Sequence, residues 1–129
     1  MPEHRETMRV RWVDTDKSGR IHYSAAFRYF EVAEFELLRS LGVAHGTLGE
    51  PVGFPRVQVS ATYKKALTVE DLIEVRVRPS RVGNTSVTYR HEVFHEGELA
   101  IEGEVTAVAV GPDGKSRPLP DALRRALTS

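Results

Sequence analysis

The sequence predicts an α+β domain in which one long helix covers one curved antiparallel sheet. Three observations lead there. Apolar residues recur with a helical period once, over residues 24–41, and alternate with period two in several later stretches, most of which are joined by short turns. Consecutive strands with tight turns pair antiparallel, and a single amphipathic helix needs a sheet face to cover. At 129 residues the chain has the size of a single domain, spanning 1–129, and can bury a proper core.

The elements follow in order. A short strand is expected over residues 8–13, where Met8, Val10 and Trp12 alternate with Arg9 and Arg11. Asp14-Thr15-Asp16-Lys17-Ser18-Gly19 breaks it, because Asp, Ser and Gly favour turns. A helix then starts near Ser24, an acceptable N-cap, and ends before Gly42, where a C-terminal cap belongs. Phe27, Phe30, Ala33, Leu37, Leu38 and Leu41 form its apolar face, with Arg28, Tyr29, Glu36, Arg39 and Ser40 on the other side. Glu34 falls inside the apolar stripe. It must find a partner, stay at the helix margin, or carry a raised pKa.

Residues 42–55 hold Gly42, Gly46, Gly49, Pro51, Gly53 and Pro55 and read as an irregular crossing loop. Strands are expected over 57–64, over 72–78 with Pro79 ending it, over 85–95, and over 99–110. Residues 81–84 and Glu96-Gly97 read as turns, and the four strands as a meander. Gly111-Pro112-Asp113-Gly114 closes the last strand, and a short helix fits residues 120–127.

Composition excludes several function classes. Eighteen basic and eighteen acidic residues cancel, which removes a global electrostatic case for nucleic acid or a membrane surface. No cysteine is present, so disulfides, thiolate metal sites and a Cys nucleophile are out. The first residues have no apolar signal region, and no run of about 18 apolar residues occurs, so a cytoplasmic protein is expected. His91-Glu92-Val93-Phe94-His95 matches a zinc-protease signature whose mechanism needs a helix. Here it follows strand alternation, which separates the two imidazoles by roughly 13 Å, so no metal site is expected.

The acidic turn carries more chemistry. Asp14 and Asp16 are both good turn formers. They also precede a long helix, whose positive end favours an ionised carboxylate and whose free N–H groups can polarise a carbonyl. That pairing suits acyl transfer, by direct attack or through an activated water. His22 and Tyr23 follow in the same turn. Lys64, Lys65, Arg81 and Arg117 are candidate phosphate ligands or ordinary surface charges.

Asp14-Thr15-Asp16, Gly19, the His22-Tyr23 pair and Tyr29-Phe30-Glu31 resemble the hotdog-fold acyl-CoA thioesterases, in particular the 4-hydroxybenzoyl-CoA thioesterase/YbgC-like branch. The similarity continues through Tyr63-Lys64-Lys65, Glu70-Asp71 and Arg117-Pro118-Leu119-Pro120, and so covers essentially the whole chain. It implies a long central helix wrapped by a five-stranded antiparallel sheet. It also implies a homodimer or homotetramer with active sites at the subunit interface, an acyl-CoA substrate and no cofactor. Matched residue by residue, the branch's carboxylate falls on Asp16, its carbonyl-polarising amide on Tyr23, and a turn-shaping position on Asp14. His22 joins them as a third candidate catalytic residue. The loop of Arg81, Gly83, Asn84, Thr85 and Ser86 matches a loop that the resemblance implies to contact CoA, and Lys65, a candidate phosphate ligand, joins them as a candidate CoA contact. Two departures stand out: the branch often has Tyr-His where this chain has His22-Tyr23, and Arg where it has Glu34. Two other readings are an acyl-thioester dehydratase or hydratase, pairing His22 with Glu31 or Glu34, and a non-catalytic acyl-CoA-binding protein.

Overall fold

The structure is a computed structural model and describes residues 1–44, 46–48 and 52–129. Gly49 and Pro51, two of the residues in the expected crossing loop, lie outside the described residues. The elements are β1 (His4–Arg9), a 3₁₀ turn (Trp12–Asp14), α1 (Ala25–Ser40), β2 (Arg56–Tyr63), β3 (Leu72–Val82), β4 (Ser86–His95), β5 (Glu98–Val108) and α2 (Asp121–Thr128). The five strands form one antiparallel sheet in the order β1-β3-β4-β5-β2. This is the expected α+β architecture, with α1 lying on the buried face of the sheet.

α1 forms because Ala25, Ala26, Phe30, Ala33, Leu37 and Leu38 recur on one face and are all buried. The three alanines let the helix backbone approach the sheet closely. Its C-terminus is closed as expected. Gly42 adopts a positive φ of 74°, the Val43 N–H bonds the Leu38 carbonyl at 3.0 Å, and the Gly42 N–H bonds Arg39 at 3.1 Å. This 6→1 and 5→2 pair satisfies carbonyls the helix cannot, with Val43 and Leu38 both buried beside it.

The first strand lies earlier than expected. β1 pairs with β3 from His4↔Val77 to Arg9↔Leu72, and its inward face is His4, Glu6 and Met8. Polar His4 and Glu6 conceal the alternation that marks a strand. Trp12 belongs to the 3₁₀ turn and is 80% exposed. Tyr29, expected on the outer side of α1, is buried, because a buried carboxylate accepts its hydroxyl (below). β3 does not stop at Pro79. The proline sits beyond the end of β1 and at a register shift between Pro79 and Arg81, so its missing N–H breaks no ladder bond to β1. The expected turn at 81–84 accordingly moves to residues 83–85.

Only β3-β4-β5 is a meander. Glu96 and Gly97 turn β4 into β5 with φ of 51° and 79°, the all-positive geometry of a two-residue hairpin. β2 crosses to the far edge and pairs with β5, from Arg56↔Ala107 to Tyr63↔Ile101. Gly103 is required in that pairing, since a Cβ there would fall 2.0 Å from the Ser60 carbonyl oxygen. The connection from β2 back to β3 therefore runs through residues 64–71, and that path brings it against the acidic turn.

Candidate functional site

The acidic turn is a closed miniature hairpin. Thr15 and Ile21 bridge antiparallel, the Asp16 N–H bonds the Arg20 carbonyl at 2.9 Å, and the Gly19 N–H bonds the Asp16 carbonyl at 3.0 Å. Gly19 has a φ of 84°, which a side chain would disfavour. The hairpin docks on the 64–71 connection through the Ile21 N–H to the buried Leu67 carbonyl, 3.0 Å, and through an Arg20↔Thr68 bridge.

Asp16 is exposed at the tip of this hairpin. Its Oδ1 accepts the Ser18 hydroxyl at 2.6 Å and the Ser18 N–H at 2.8 Å. These two bonds, helped by His22 and Arg20, hold the carboxyl below the usual carboxylate range. Oδ2 makes no hydrogen bond among the described residues, so an ionised oxygen faces outward. Asp14 is the opposite case, buried with 4% exposure. Burial pushes its carboxyl up, but the Arg11 N–H, Arg28 guanidinium and Tyr29 hydroxyl together outweigh that, and the net direction is down. Burial, with the bond to Asp14, pushes the Tyr29 phenol well up.

The approach to α1 supplies the second feature. Ser24 is already helical, at φ −70° and ψ −18°, so its side chain makes no cap bond. His22 takes over instead: its Nδ1 accepts the Ser24 N–H at 3.2 Å and lies 2.8 Å from the Ser24 hydroxyl. Its own N–H goes to the Asp14 carbonyl at 2.8 Å. Between these two, the Tyr23 N–H is given to no acceptor among the described residues. The Tyr63 hydroxyl, from the end of β2, donates to the Tyr23 carbonyl and fixes that peptide from the other side.

Asp16, Tyr23, Tyr63, Lys64 and Lys65 line one open hollow of about 440 Å³, floored by Leu67. Lys65 pairs with Glu98 at 3.1 Å and Lys64 lies 3.6 Å from Glu102. The structure thus brings together Asp16, Tyr23 and Lys65, with the His22 ring tilted 31° against the Tyr23 ring and the centroids 4.3 Å apart. It does not bring Arg81, Gly83, Asn84, Thr85 and Ser86 to the same hollow of this chain. Gly83 and Asn84 offer their carbonyls to Arg124 of α2, and the Thr85 carbonyl accepts the Ala109 N–H. Arg81 and Ser86 line a separate polar hollow on the outer face of the sheet.

A second hollow of about 360 Å³ follows the seam between α1 and β2, walled by Phe27, Phe30, Phe35, Val59 and Val105. Glu34 and Arg56 lie in it as an ion pair of 2.7 Å, the partner that the sequence requires for Glu34. Burial still dominates and pushes the Glu34 carboxyl up against the pull of Arg56. Phe27 and Phe30 thus wall this hollow, and Tyr63 lines the hollow of Asp16. Phe54 instead lies at a neighbouring crevice with Leu38 and Tyr89. His91 and His95 are in β4, where the helix that a shared zinc ion needs is absent. Sequence reasoning missed Tyr29, Arg28, Tyr63 and Arg56 as partners of the site. Each acts across 14 to 40 residues of chain, and local patterning does not encode such pairings.

Residues 18–102 match the thioesterase superfamily. An acyl-CoA thioester hydrolase YbgC of Escherichia coli is 27% identical over 119 residues, covering 90% of this chain and 89% of that protein. A 1,4-dihydroxy-2-naphthoyl-CoA hydrolase of Synechococcus is 28% identical over 124 residues, covering 90% and 83%. The crystal structure of a hypothetical protein from Aquifex aeolicus superposes with a TM-score of 0.90 at 27% identity, covering 95% of this chain and 98% of that one. The chain belongs to the thioesterase superfamily, as a hotdog-fold thioesterase of the YbgC-like branch.

Proposed function

We propose that this chain hydrolyses an acyl-CoA thioester to a free carboxylic acid and CoA, as one domain over residues 1–129 and without a cofactor. One observation carries the reading: an ionised, outward-facing carboxylate and an uncommitted amide at the start of α1 line the same hollow. In this reading the thioester carbonyl oxygen sits on the Tyr23 N–H, which stabilises the negative charge that grows there in the transition state. Asp16 Oδ2 then acts in one of two ways. As nucleophile it attacks the carbonyl carbon, expels CoA thiolate, and leaves an acyl-aspartyl anhydride for water to open. As general base it takes a proton from the water that attacks. Lys64 and Lys65 supply positive charge for the CoA phosphates at the mouth.

The seam hollow suits the acyl group, since its walls are mostly aromatic and aliphatic. Partnership with a second copy is supported by β2. It is an edge strand with one side unpaired among the described residues, and it exposes Val57, Val59 and Tyr63 by 61, 49 and 43%. Such an edge is a template for pairing. In a homodimer joined there, or a tetramer of two such dimers, the 81–86 segment of a neighbouring subunit supplies the CoA contacts that are missing from this chain's own hollow. Among the described residues no helix is long and apolar enough to cross a membrane, and we place the reaction in the cytoplasm. A hydratase would need His22 and a helix carboxylate free to share a substrate proton. Here Glu34 is bound to Arg56, and Glu31 lines the seam hollow, which His22 does not line.

Thiol release from a panel of aromatic and aliphatic acyl-CoAs tests the proposal. Hydrolysis of at least one at a turnover rate supports it. CoA binding with no thiol release from any of them overturns it in favour of a binding protein.

A further inference from the structure

Asp14 does more than a turn former needs. A turn requires only the local bond from the Arg11 N–H to Oδ2, 2.9 Å, across three residues. Yet the carboxylate is buried, and two further donors reach it from α1: the Tyr29 hydroxyl to Oδ2 at 3.0 Å and the Arg28 guanidinium to Oδ1 at 2.8 Å. Its backbone carbonyl meanwhile accepts the His22 N–H at 2.8 Å. One residue therefore ties the 3₁₀ turn, the second turn of α1 and the peptide immediately before Tyr23. Asp14 is not among the residues lining the hollow; it stands behind it. Burying a carboxylate is costly unless it is fully bonded, so the arrangement is rigid while all three donors are in place.

We propose that Asp14 is a positioning residue for thioester hydrolysis, fixing the Asp16 hairpin and the Tyr23 amide at one mutual distance through its bonds to Arg28, Tyr29 and His22. This rests on the reading above, that Asp16 and the Tyr23 amide act on the thioester. The need is geometric: a misplacement of about 1 Å between reacting groups costs on the order of a hundredfold in rate. Asparagine cannot replace the carboxylate. It has one acceptor oxygen where Asp14 uses two, so its NH₂ must face either Arg28 or the Arg11 and Tyr29 donors.

The experiment compares wild type, Asp14→Asn, Tyr29→Phe and Asp16→Asn. Steady-state kinetics are measured on an acyl-CoA that the wild type hydrolyses, and amide hydrogen exchange on each protein. For Asp14→Asn, the expected result is a kcat lowered about ten- to a hundredfold with KM within about twofold. Exchange should quicken at the Asp16 and His22 amides and stay unchanged in β4 and β5. Tyr29→Phe, which removes one donor and leaves the charge paired, should give the same pattern at a few-fold loss. It carries the test alone if Asp14→Asn fails to fold. An Asp14→Asn protein with wild-type kcat, or with kcat reduced only by its folded fraction and unchanged exchange at Asp16 and His22, overturns the proposal. If Asp16→Asn is inactive while Asp14→Asn is fully active, this proposal alone falls. Full activity in Asp16→Asn overturns the underlying assignment instead, and the positioning role with it.

Discussion

His91 makes the fold acid-sensitive, and the size of the effect can be worked out. Its ring is fully buried in β4, stacked on Phe30 with centroids 4.4 Å apart and planes 14° from parallel, and neither nitrogen makes a well-formed hydrogen bond. Burial pulls its pKa from 6.5 down to about 3, against the Phe30 backbone, which favours the charged form, and with the help of Arg56. A depressed histidine pKa means that the unfolded chain takes up a proton the folded chain refuses. Stability is therefore intact above about pH 6.5 and is lost as pH falls from there towards 3. Between pH 7.5 and 4.5 the loss is about 3 kcal/mol, at 1.36 kcal/mol per unit. Leucine is of similar volume and has no proton to gain. His91→Leu should thus lose about 3 kcal/mol less than wild type over that interval in urea unfolding, with all other titrating groups common to both proteins. Equal losses in the two proteins would refute the reasoning.

Other outcomes follow from the same geometry. Arg56→Met strands the buried Glu34 carboxylate and should cost about 3 kcal/mol at pH 7.5, the low end for a broken buried pair because Arg56 is partly exposed. Since Glu34, already raised by burial, loses the opposing pull of Arg56 and holds its proton more tightly still, stability relative to wild type should recover as pH is lowered, and Glu34→Gln with Arg56→Met should restore most of it; urea titrations at two pH values check both. Gly103→Ala places a Cβ against the Ser60 carbonyl and should destabilise by about 1–3 kcal/mol, read as a lower Tm. In the proposed β2-joined dimer, Val59→Lys on the edge of β2 should yield monomers in sedimentation velocity, and an unchanged sedimentation coefficient would remove β2 from the interface.

How much of this was legible in the sequence depended on the range of each interaction. α1 and its Gly42 cap, the β4–β5 hairpin at Glu96-Gly97, and the acidic turn around Asp16 are written locally, in period and turn chemistry. The demand that Glu34 find a partner was also legible; that the partner is Arg56, 22 residues away, was not. β1 was misplaced because His4 and Glu6 face inward in a polar disguise. Strand alternation tells which residues share a face but not which strand is the neighbour, so the position of β2 at the far edge went unread. The helical angle of Tyr29 points it outward, and only the buried Asp14 carboxylate explains why it turns in.

The central claim is that Asp16 is the chemical group of this site. On the best acyl-CoA of the panel, the ratio of wild-type to Asp16→Asn kcat/KM tests it most directly, with equal Tm and unchanged CoA affinity as controls. A ratio of about 10² or more is expected, since acid–base help alone contributes about 10² to 10⁴. A ratio near one would contradict it and move the chemistry elsewhere in the site.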